Sequence, residues 1–199
     1  MTRLVLIRHG VTEWNLQKRI QGRIDQPLCA QGRRQLRALA IADEFQQGDW
    51  YCSPLRRARE TAELLGLKSC RIEPALTEMD WGDWEGQILK PLRKQLGDAM
   101  RNNESRGLDF RPPGGESPRE VQARLLPWLT HLAKRAEPAG AVVHKGIIRC
   151  MYALACGWDM RGEAPVEFAW DAMHRFELEA DGSLLDRYEA IPLVKTRAL

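Results

Sequence analysis

The segment RLVLIRHGVTEWN, residues 3–15, is the most informative stretch of this chain. Residues 3–7 form a short, mainly apolar run, which is typical of a strand buried on both faces of a parallel sheet. The run ends at Arg8, His9 and Gly10, so a cation and an imidazole follow the strand directly. Functional side chains of parallel sheets commonly lie in the loops after the strands. We therefore expect His9 to lie at the functional edge of such a sheet.

Short apolar runs alternate with amphipathic stretches along the rest of the chain. The patterns predict further strands at residues 50–52, 69–73 and 141–144, and a hairpin with strands at 175–179 and 184–188. They predict helices at residues 31–47, 54–65, 117–132 and 146–156. Strands that alternate with helices pair in parallel and place the helices on both faces. The sequence therefore predicts an α/β fold, a three-layer α/β/α sandwich with a mainly parallel central sheet.

The length of 199 residues predicts a single domain spanning residues 1–199. Within it, the helical pattern of residues 87–112 is interrupted by Pro91 and Gly97, and it carries several basic side chains. We interpret this segment as a helical insertion. A charged stretch of this kind usually forms a solvated helix face, so we place none of its residues in the candidate site.

Composition argues against several classes of protein. The chain has 30 lysines and arginines against 27 acidic residues, and this excess is too small to predict nucleic-acid binding. No apolar run approaches the length of a membrane span or of a signal-peptide core, so we expect a soluble, cytoplasmic protein. The five cysteines include no CxxC pair and lack the density of a disulfide scaffold, which predicts reduced thiols.

A phosphate-binding site is indicated by arginines and histidines near the predicted strand ends. A lone histidine after a strand would more often be structural. Here Arg8 precedes His9, the pair Arg56 and Arg57 opens a predicted helix, and His144 precedes another helix. Arginine presents a planar fork of charged donors that fits phosphate oxygens, and a helix N-terminus adds free N–H groups. Such a pocket can compensate the charge of phosphoryl transfer, so no metal ion or cofactor is required.

The same residues resemble the motifs of a known family. Residues 8–15, RHGVTEWN, resemble the RHGxTxWN signature of the histidine phosphatase, or phosphoglycerate mutase-like, superfamily. Segments at 21–32, 53–62, 76–86, 114–117 and 143–144 are similar to its later motifs, in the same order. A single match would be weak, but ordered matches are not expected by chance. The resemblance implies a phosphoglycerate mutase-like fold.

The resemblance also implies a role for each residue of the phosphate pocket. His9 would be the nucleophile that attacks phosphorus, while Arg8, Arg57 and His144 would hold the equatorial oxygens. Register with the family selects Arg57 rather than Arg56 as the second arginine of this clamp.

Residues 76–86 are similar to the acid-bearing loop of the family. Register selects Glu78 as the group that protonates the leaving oxygen and then activates water. The neighbouring acids that compete for this role are Asp80, Asp83 and Glu85. The role requires a carboxyl pKa raised toward neutrality, and we expect Trp81 or Trp84 to supply apolar surroundings.

Further substrate-binding residues are expected in the first loop and directly after the second histidine. They are Asn15, Gln21, Gly22 and Lys145. His9 must be neutral at its attacking nitrogen, so its other ring nitrogen should donate to a carbonyl of the Gly10 turn. Thr12 is expected to help order the loop. His131 and His174 have no motif partner, and we expect them to be structural.

One departure from the family lies after His144. The family usually has two glycines there, whereas this chain has Lys145 and Gly146. If the first position needed a left-handed backbone, a lysine would cost about 1–2 kcal/mol. Alternatively, the Lys145 ammonium reaches the pocket and favours a second anionic group on the substrate. Cys29 stands where the family tends to have threonine, and we expect it to weaken a helix start.

These features predict a metal-independent phosphomonoesterase that cleaves a small phosphorylated metabolite through a phosphohistidine at His9. A cofactor-dependent phosphoglycerate mutase is the alternative enzyme, although such mutases generally resemble longer chains and residues 78–82 match theirs poorly. A noncatalytic phospho-ligand binding protein is a further alternative, and retention of both a nucleophile and an acid argues against it. The substrate stays open, and an exposed strand edge could support a homodimer.

Overall fold

A computed structural model describes residues 1–67 and 69–195. The strands are β1 (Thr2–Arg8), β2 (Leu39–Ala40), β3 (Asp49–Cys52), β4 (Arg71–Ile72), β5 (Ala139–Val143), β6 (Ala172–Leu178), β7 (Glu189–Pro192) and β8 (Val194–Lys195). The helices are α1 (Glu13–Leu16), α2 (Ala30–Arg37), α3 (Arg56–Leu64), α4 (Leu89–Leu96), α5 (Asp98–Glu104), α6 (Pro118–Arg135) and α7 (Lys145–Cys156). Short 3-10 helices lie at Asp43–Phe45, Pro74–Leu76, Gly82–Trp84 and Gly107–Asp109.

Six of the described strands form one sheet in the order β4-β3-β5-β1-β6-β7. The strands β4, β3, β5 and β1 run parallel, whereas β6 and β7 are antiparallel to their neighbours. The order places β1 beside β5, so the strand before His9 lies next to the strand before His144. The predicted α/β fold with a mainly parallel sheet is confirmed.

The first strand is covered on both of its faces. Leu4 and Leu6 belong to an apolar cluster that includes residues of α6 and α7, whereas Val5 and Ile7 belong to a second cluster with residues of α2 and α3. Successive side chains of a strand point to opposite faces, so helices lie on both sides of the sheet. Leu6 is fully buried, and truncating such a leucine to alanine typically costs about 2–5 kcal/mol.

The predicted helix at residues 31–47 is wrong in its second half. There the structure has the short strand Leu39–Ala40, paired with β8, and the 3-10 helix Asp43–Phe45. Ile41 and Phe45 join the same apolar cluster as α2, so their spacing resembled a helical stripe although they reach the core from an irregular segment. The indole Nε1 of Trp50 donates to the Phe45 carbonyl at 3.0 Å and fixes this connection.

The predicted hairpin at residues 175–188 is correct in its first strand and wrong in its second. Within the described chain, 184–188 pairs with β6 only at an isolated bridge between Leu178 and Leu184, and the return strand is β7. The hydroxyl of Tyr188 lies 2.8 Å from Nδ1 of His174 and holds the intervening segment against β6. The strand predicted at 69–73 is shorter and contains Arg71–Ile72.

Residues 87–112 contain α4, α5 and a 3-10 helix, which agrees with the predicted helical character. Pro91 lies in the first turn of α4 and does not interrupt it, because an N–H at that position has no partner within the helix. Gly97 does separate the two helices, with a φ of 52° that favours glycine. Cys29 caps α2 by accepting from the Gly32 N–H at 3.3 Å, and a thiol is a weaker acceptor than a hydroxyl. Within the described ranges, no helix is both long and apolar enough to cross a membrane.

Candidate active site

Two buried histidines lie side by side at the carboxyl ends of β1 and β5. Arg8 is in register with Val143, and the N–H of His9 donates to the Val143 carbonyl at 2.9 Å. The imidazole centroids of His9 and His144 are 5.1 Å apart. The sheet order therefore brings together two residues that are far apart in sequence.

His9 is held as a neutral imidazole in one tautomer. Burial, followed by the charges of Arg57 and Arg8, lowers the pKa of His9 well below its usual value. Its Nδ1 lies 2.7 Å from the Gly10 carbonyl oxygen, which can only accept, so Nδ1 carries the proton and Nε2 the free electron pair. The predicted hydrogen bond to the Gly10 turn is confirmed. The Gly10 N–H donates to Thr61 Oγ1 at 2.9 Å, which ties this turn to α3.

Arg57 is fully buried at the start of α3. Its guanidinium donates to the carbonyls of Gly22, at 2.6 Å, and Ile24, at 3.2 Å. Burial lowers the pKa of Arg57 to about 10, so the group stays cationic at neutral pH. Arg56 lies on the exposed side of the helix and pairs with Glu60. The arginine selected by register is thus the one that the fold buries near the two histidines.

Among the described residues, His144 and Arg8 each have a buried side-chain nitrogen without a hydrogen-bond partner. The Nε2 atom of His144 lies 2.7 Å from Ser53 Oγ, which leaves its buried Nδ1 without a partner among the described residues. The buried Nε of Arg8 also has none within that part of the chain. Burial lowers the pKa of His144 well below its usual value, so the ring is neutral. Ser53 Oγ accepts from the Leu55 N–H, so its O–H is free to donate to Nε2 of His144, which places the imidazole proton on Nδ1. Buried polar atoms without a partner are rare, and the charged guanidinium of Arg8 suits an anion. Ser53 was predicted only as part of a motif, and it positions His144.

The first loop packs around Arg57. Thr12 caps α1: its Oγ1 accepts from the Asn15 N–H at 3.2 Å, and Asn15 Oδ1 accepts from the Thr12 N–H at 3.1 Å. The Gln21 amide lies 2.8 Å from Thr12 Oγ1 on one side and 3.2 Å from Arg57 Nε on the other. Because Arg57 can only donate, the Gln21 amide oxygen faces it. Thr12 therefore orders the loop as predicted, and Gln21 and Gly22 position the guanidinium.

Glu78 is a buried carboxyl group that α7 holds in place. Its Oε2 accepts from the Gly146 N–H at 3.0 Å, and its Oε1 accepts from the Met79 N–H at 2.8 Å. A Cβ at position 146 would overlap Glu78 Oε1, so any larger residue there would displace the carboxyl group. Burial raises the pKa of Glu78 above its usual value, although these hydrogen bonds and Arg57 oppose the shift. The protonated form that a general acid needs is therefore favoured.

The acids near Glu78 make other contacts. Asp80 pairs with Arg23, and Glu85 accepts from the backbone N–H groups of Arg23 and Ile24. Of the four acids in residues 78–85, Glu78 lines the same cavity as His9.

The two tryptophans of the loop differ in position. Both pack against Phe110, with centroids 5.7 Å away for Trp81 and 5.8 Å for Trp84. Trp84 belongs to a small apolar cluster with Leu92 and Met100, whereas Trp81 also lines the cavity. Trp81 is therefore the tryptophan that shares the cavity with the candidate acid.

Lys145 is the first residue of α7 and has an ordinary helical backbone. Among the described residues, a positive φ outside glycine occurs at Lys18, Ala136 and Met160. The interpretation that Lys145 strains the backbone is therefore wrong, because the helix starts directly after His144. The Lys145 Nζ lies 4.9 Å from the ring centroid of Trp170, and the side chain lines the cavity.

A cavity of about 770 Å³ covers the strand ends. The predicted site residues that line it are Arg8, His9, Asn15, Gln21, Glu78 and Lys145. Arg57 and His144 are fully buried, and Gly22 contributes the carbonyl that Arg57 donates to. Four basic residues that were not predicted also line it: Lys18, Arg19, Arg93 and Arg149. Arg93 lies in the insertion that the sequence placed outside the site. Arg149 follows Lys145 by one helical turn, a spacing that could have revealed it.

Metal-ligating side chains do not cluster in residues 1–67 and 69–195: no group of three or more His, Cys, Asp or Glu side chains there could hold a metal ion. The groups that surround the cavity are instead mainly donors, which suit an anionic ligand.

Comparisons with known proteins agree on the family and differ on the reaction. A family model described as histidine phosphatase superfamily (branch 1) matches residues 4–190. A 2,3-bisphosphoglycerate-dependent phosphoglycerate mutase of Azorhizobium caulinodans is 31% identical over 94% of this chain and 98% of its own length. Phosphoserine phosphatase 1 of Hydrogenobacter thermophilus is 32% identical over 80% of this chain and 79% of its own length. The structure of a mycobacterial glucosyl-3-phosphoglycerate phosphatase complexed with VO3 has 27% identity and a TM-score of 0.77, over 96% of this chain and 98% of that one.

Proposed function

This chain belongs to the histidine phosphatase superfamily, and on that premise we propose that it is a metal-independent phosphomonoesterase acting on a small phosphorylated metabolite. One observation carries the proposal: His9, with a free Nε2, and Glu78, with a raised pKa, border the same cavity. A protein that only binds phosphate needs cationic donors but neither a nucleophile nor an acid.

The first step of the proposed reaction transfers the phosphoryl group to His9. Its Nε2 attacks phosphorus, the N–P bond forms as the bond to the ester oxygen breaks, and Glu78 gives its proton to the leaving oxygen. Arg8, Arg57 and the Nδ1–H of His144 donate to the nonbridging oxygens. These donors are fixed before the reaction, so they stabilise the developing charge without reorganising.

The second step returns the enzyme to its starting state. The Glu78 carboxylate accepts a proton from water, the water oxygen attacks phosphorus, and the N–P bond breaks to release orthophosphate. Glu78 is again protonated and His9 again neutral, so the cycle balances without a cofactor. Water is the only acceptor that this sequence of steps requires.

A phosphoglycerate mutase is the second candidate, because several relatives carry that name. In that reaction the phosphoryl group would pass from His9 to a substrate hydroxyl instead of water. The argument from chain length is wrong for these relatives, since the Azorhizobium mutase is covered over 98% of its length by this chain. We favour hydrolysis because it needs no second phosphorylated ligand.

The experiment compares phosphate release with isomerisation. Purified protein is assayed for orthophosphate release from a panel of phosphomonoesters, and for interconversion of 2- and 3-phosphoglycerate with 2,3-bisphosphoglycerate present. We expect phosphate release, and we expect His9→Ala to abolish both turnover and labelling of the protein by radioactive phosphate. His131→Ala, which changes an exposed histidine of α6, is the matched control and should keep both.

Three results would contradict the proposal. Interconversion faster than phosphate release would favour the mutase. Stabilisation by vanadate with no turnover of any ester would favour a noncatalytic binding protein. Turnover that survives His9→Ala would exclude His9 as the nucleophile.

A further inference from the structure

Lys145 and Arg149 form a second cationic site on the cavity that contains His9. Both lie on α7, and residues four apart share one face of a helix. Both side chains line the cavity. Within residues 1–67 and 69–195, neither has an ion-pair or hydrogen-bond partner. Two cations are thus exposed to the cavity without a protein anion to neutralise them.

Aromatic rings hold these two cations in position. The Nζ atom of Lys145 lies 4.9 Å from the ring centroid of Trp170, and the Cζ atom of Arg149 lies 4.8 Å from that of Trp158. Trp170 is itself stacked on Phe168, with centroids 4.9 Å apart. Cation–π contacts orient a cation and leave its N–H groups free for an anion. The site is therefore organised before a ligand binds.

Trp170 links the second cationic site to the phosphate pocket. The Cζ atom of Arg8 lies 5.6 Å from the same ring centroid that Lys145 contacts. Burial, followed by the charge of Arg8, lowers the pKa of Lys145, which agrees with a short separation. Because both cations lie against one ring, a phosphate held by Arg8 and an anion held by Lys145 could belong to one small molecule.

Three acidic residues line the cavity, Glu78, Glu104 and Glu163, and among the described residues none of them forms an ion pair with Lys145 or Arg149. The oxygens of Glu78 accept from the N–H groups of Met79 and Gly146, and burial raises its pKa, which favours the neutral form. Glu104 is paired with Arg93 at 2.7 Å. Glu163 is exposed and, within the described chain, forms no ion pair with Lys145 or Arg149. Like charges one helical turn apart repel each other, and an anion bound by both would remove that repulsion. No described acid is bound by both cations, so a ligand can supply that anion.

We propose that Lys145 and Arg149 bind a second anionic group of the substrate, either a carboxylate or a second phosphate. This inference rests on the proposed function and names its substrate class: phosphomonoesters of small molecules with a second anionic end. The sequence analysis raised a second anionic group as a ligand of Lys145 alone. The structure adds Arg149 to that site, together with Trp158 and Trp170, which orient the two cations.

The first test compares substrates that differ only in the second group. 3-Phosphoglycerate and glycerol 3-phosphate differ by a carboxylate against a hydroxymethyl group, and fructose 1,6-bisphosphate and fructose 6-phosphate differ by a second phosphate. We expect kcat/KM to be at least ~10-fold higher for the more anionic member of one pair. The pair that shows the preference identifies the group, and no preference in either pair would overturn the proposal.

The second test removes the cations one at a time. Lys145→Gln and Arg149→Gln should each reduce that preference by roughly 10-fold, mainly through KM. The double variant should lose less than the product of the two effects, because both side chains contact one group. Lys134→Gln, in the exposed last turn of α6, is the control and should keep the preference. An unchanged preference in both single variants would reject the assignment.

A binding measurement separates this proposal from the proposed hydrolysis. Calorimetric titration of the His9→Ala variant with the same four esters measures their dissociation constants. Because this variant cannot turn the esters over, the difference within each pair gives the contribution of the second anionic group to binding. If the wild type releases phosphate from no ester of the whole panel but His9→Ala binds the more anionic members of these pairs more tightly, the second site stands and the hydrolysis is wrong. If the wild type hydrolyses these esters but neither kcat/KM nor binding favours the more anionic members, the hydrolysis stands and the second site is wrong.

Discussion

The floor and the wall of the cavity are built in different ways. The floor consists of His9, Arg57, Glu78 and His144, and the wall includes Lys18, Arg93, Lys145 and Arg149. Every floor side chain is buried and is hydrogen-bonded to backbone or to a hydroxyl. The wall side chains are exposed or half-buried. The difference shows that the fold holds the floor more tightly than the wall. Under the proposed function, the floor performs the chemistry and the wall selects the substrate.

This division has an energetic basis. Donors that are already fixed stabilise a transition state without reorganising, and a buried environment strengthens them. Exposed charges are screened by solvent and contribute less. Substitutions in the floor should therefore lower kcat strongly, and substitutions in the wall should act mainly on KM.

The largest effect is expected from Arg57→Lys. A lysine cannot reproduce the planar fork that donates to Gly22 and Ile24 and still face the phosphate, so kcat should fall by about 10²–10³-fold. Arg56→Lys is the matched control one residue away, and its kcat should change by less than ~2-fold. Steady-state kinetics on one phosphomonoester measures both. Equal losses in the two variants would contradict the distinction between buried and exposed arginines.

A second effect is expected from Glu78→Gln. kcat/KM for an alkyl phosphate should fall by roughly 10²-fold because its leaving oxygen needs a proton. p-Nitrophenyl phosphate has a good leaving group and should lose less. Gly146→Ala should also lower kcat/KM more for the alkyl phosphate than for p-nitrophenyl phosphate, because a Cβ there displaces the Glu78 carboxyl group. The loss should be smaller than in Glu78→Gln.

The pH profile sharpens the same assignment. The pKa of His9 is lowered, so kcat/KM should fall on the acid side only below the usual imidazole range. The pKa of Glu78 is raised, so its protonated form persists above the usual carboxyl range and is lost as the pH rises further. Glu78→Gln should remove the alkaline fall and keep the acid one. An alkaline fall that persists in this variant would assign it to another group.

The smallest effect is expected from Arg93→Gln in the wall. Arg93 is exposed and paired with Glu104, so KM should change by less than ~5-fold, with a still smaller change in kcat. Arg101→Gln, which removes an arginine paired with Asp98 in the same insertion, is the control. Kinetics at saturating and low substrate separates the two parameters. A loss of kcat comparable to that of Arg57→Lys would mean that Arg93 takes part in the chemical step.

The sequence predicted the floor better than the wall for a physical reason. His9 and His144 each follow an apolar run, and the position of a side chain after a strand is a local property. Arg57 and Glu78 needed the register of the family motifs, because Arg56 and Asp80 have the same chemistry. Local pattern alone would have left both choices open.

The wall depends on contacts between segments that are distant in sequence. Arg93 reaches the cavity because α4 folds over it, and Trp170 meets Lys145 and Arg8 because β6 pairs with β1. No local pattern reports such contacts. The same limit explains the error at residues 31–47, where apolar spacing was compatible with a helix and with a bent, extended segment.

The sheet order also has a consequence for folding. β5 is inserted between β1 and β3, although both of those strands precede it in the chain by a long interval. A nascent chain that has emerged only through α6 contains His9, Arg57 and Glu78, but it lacks the strand that lies between β1 and β3 and sets their spacing. Such non-local pairing slows folding. Recovery of activity during refolding should therefore report the insertion of β5, the step that completes the centre of the sheet.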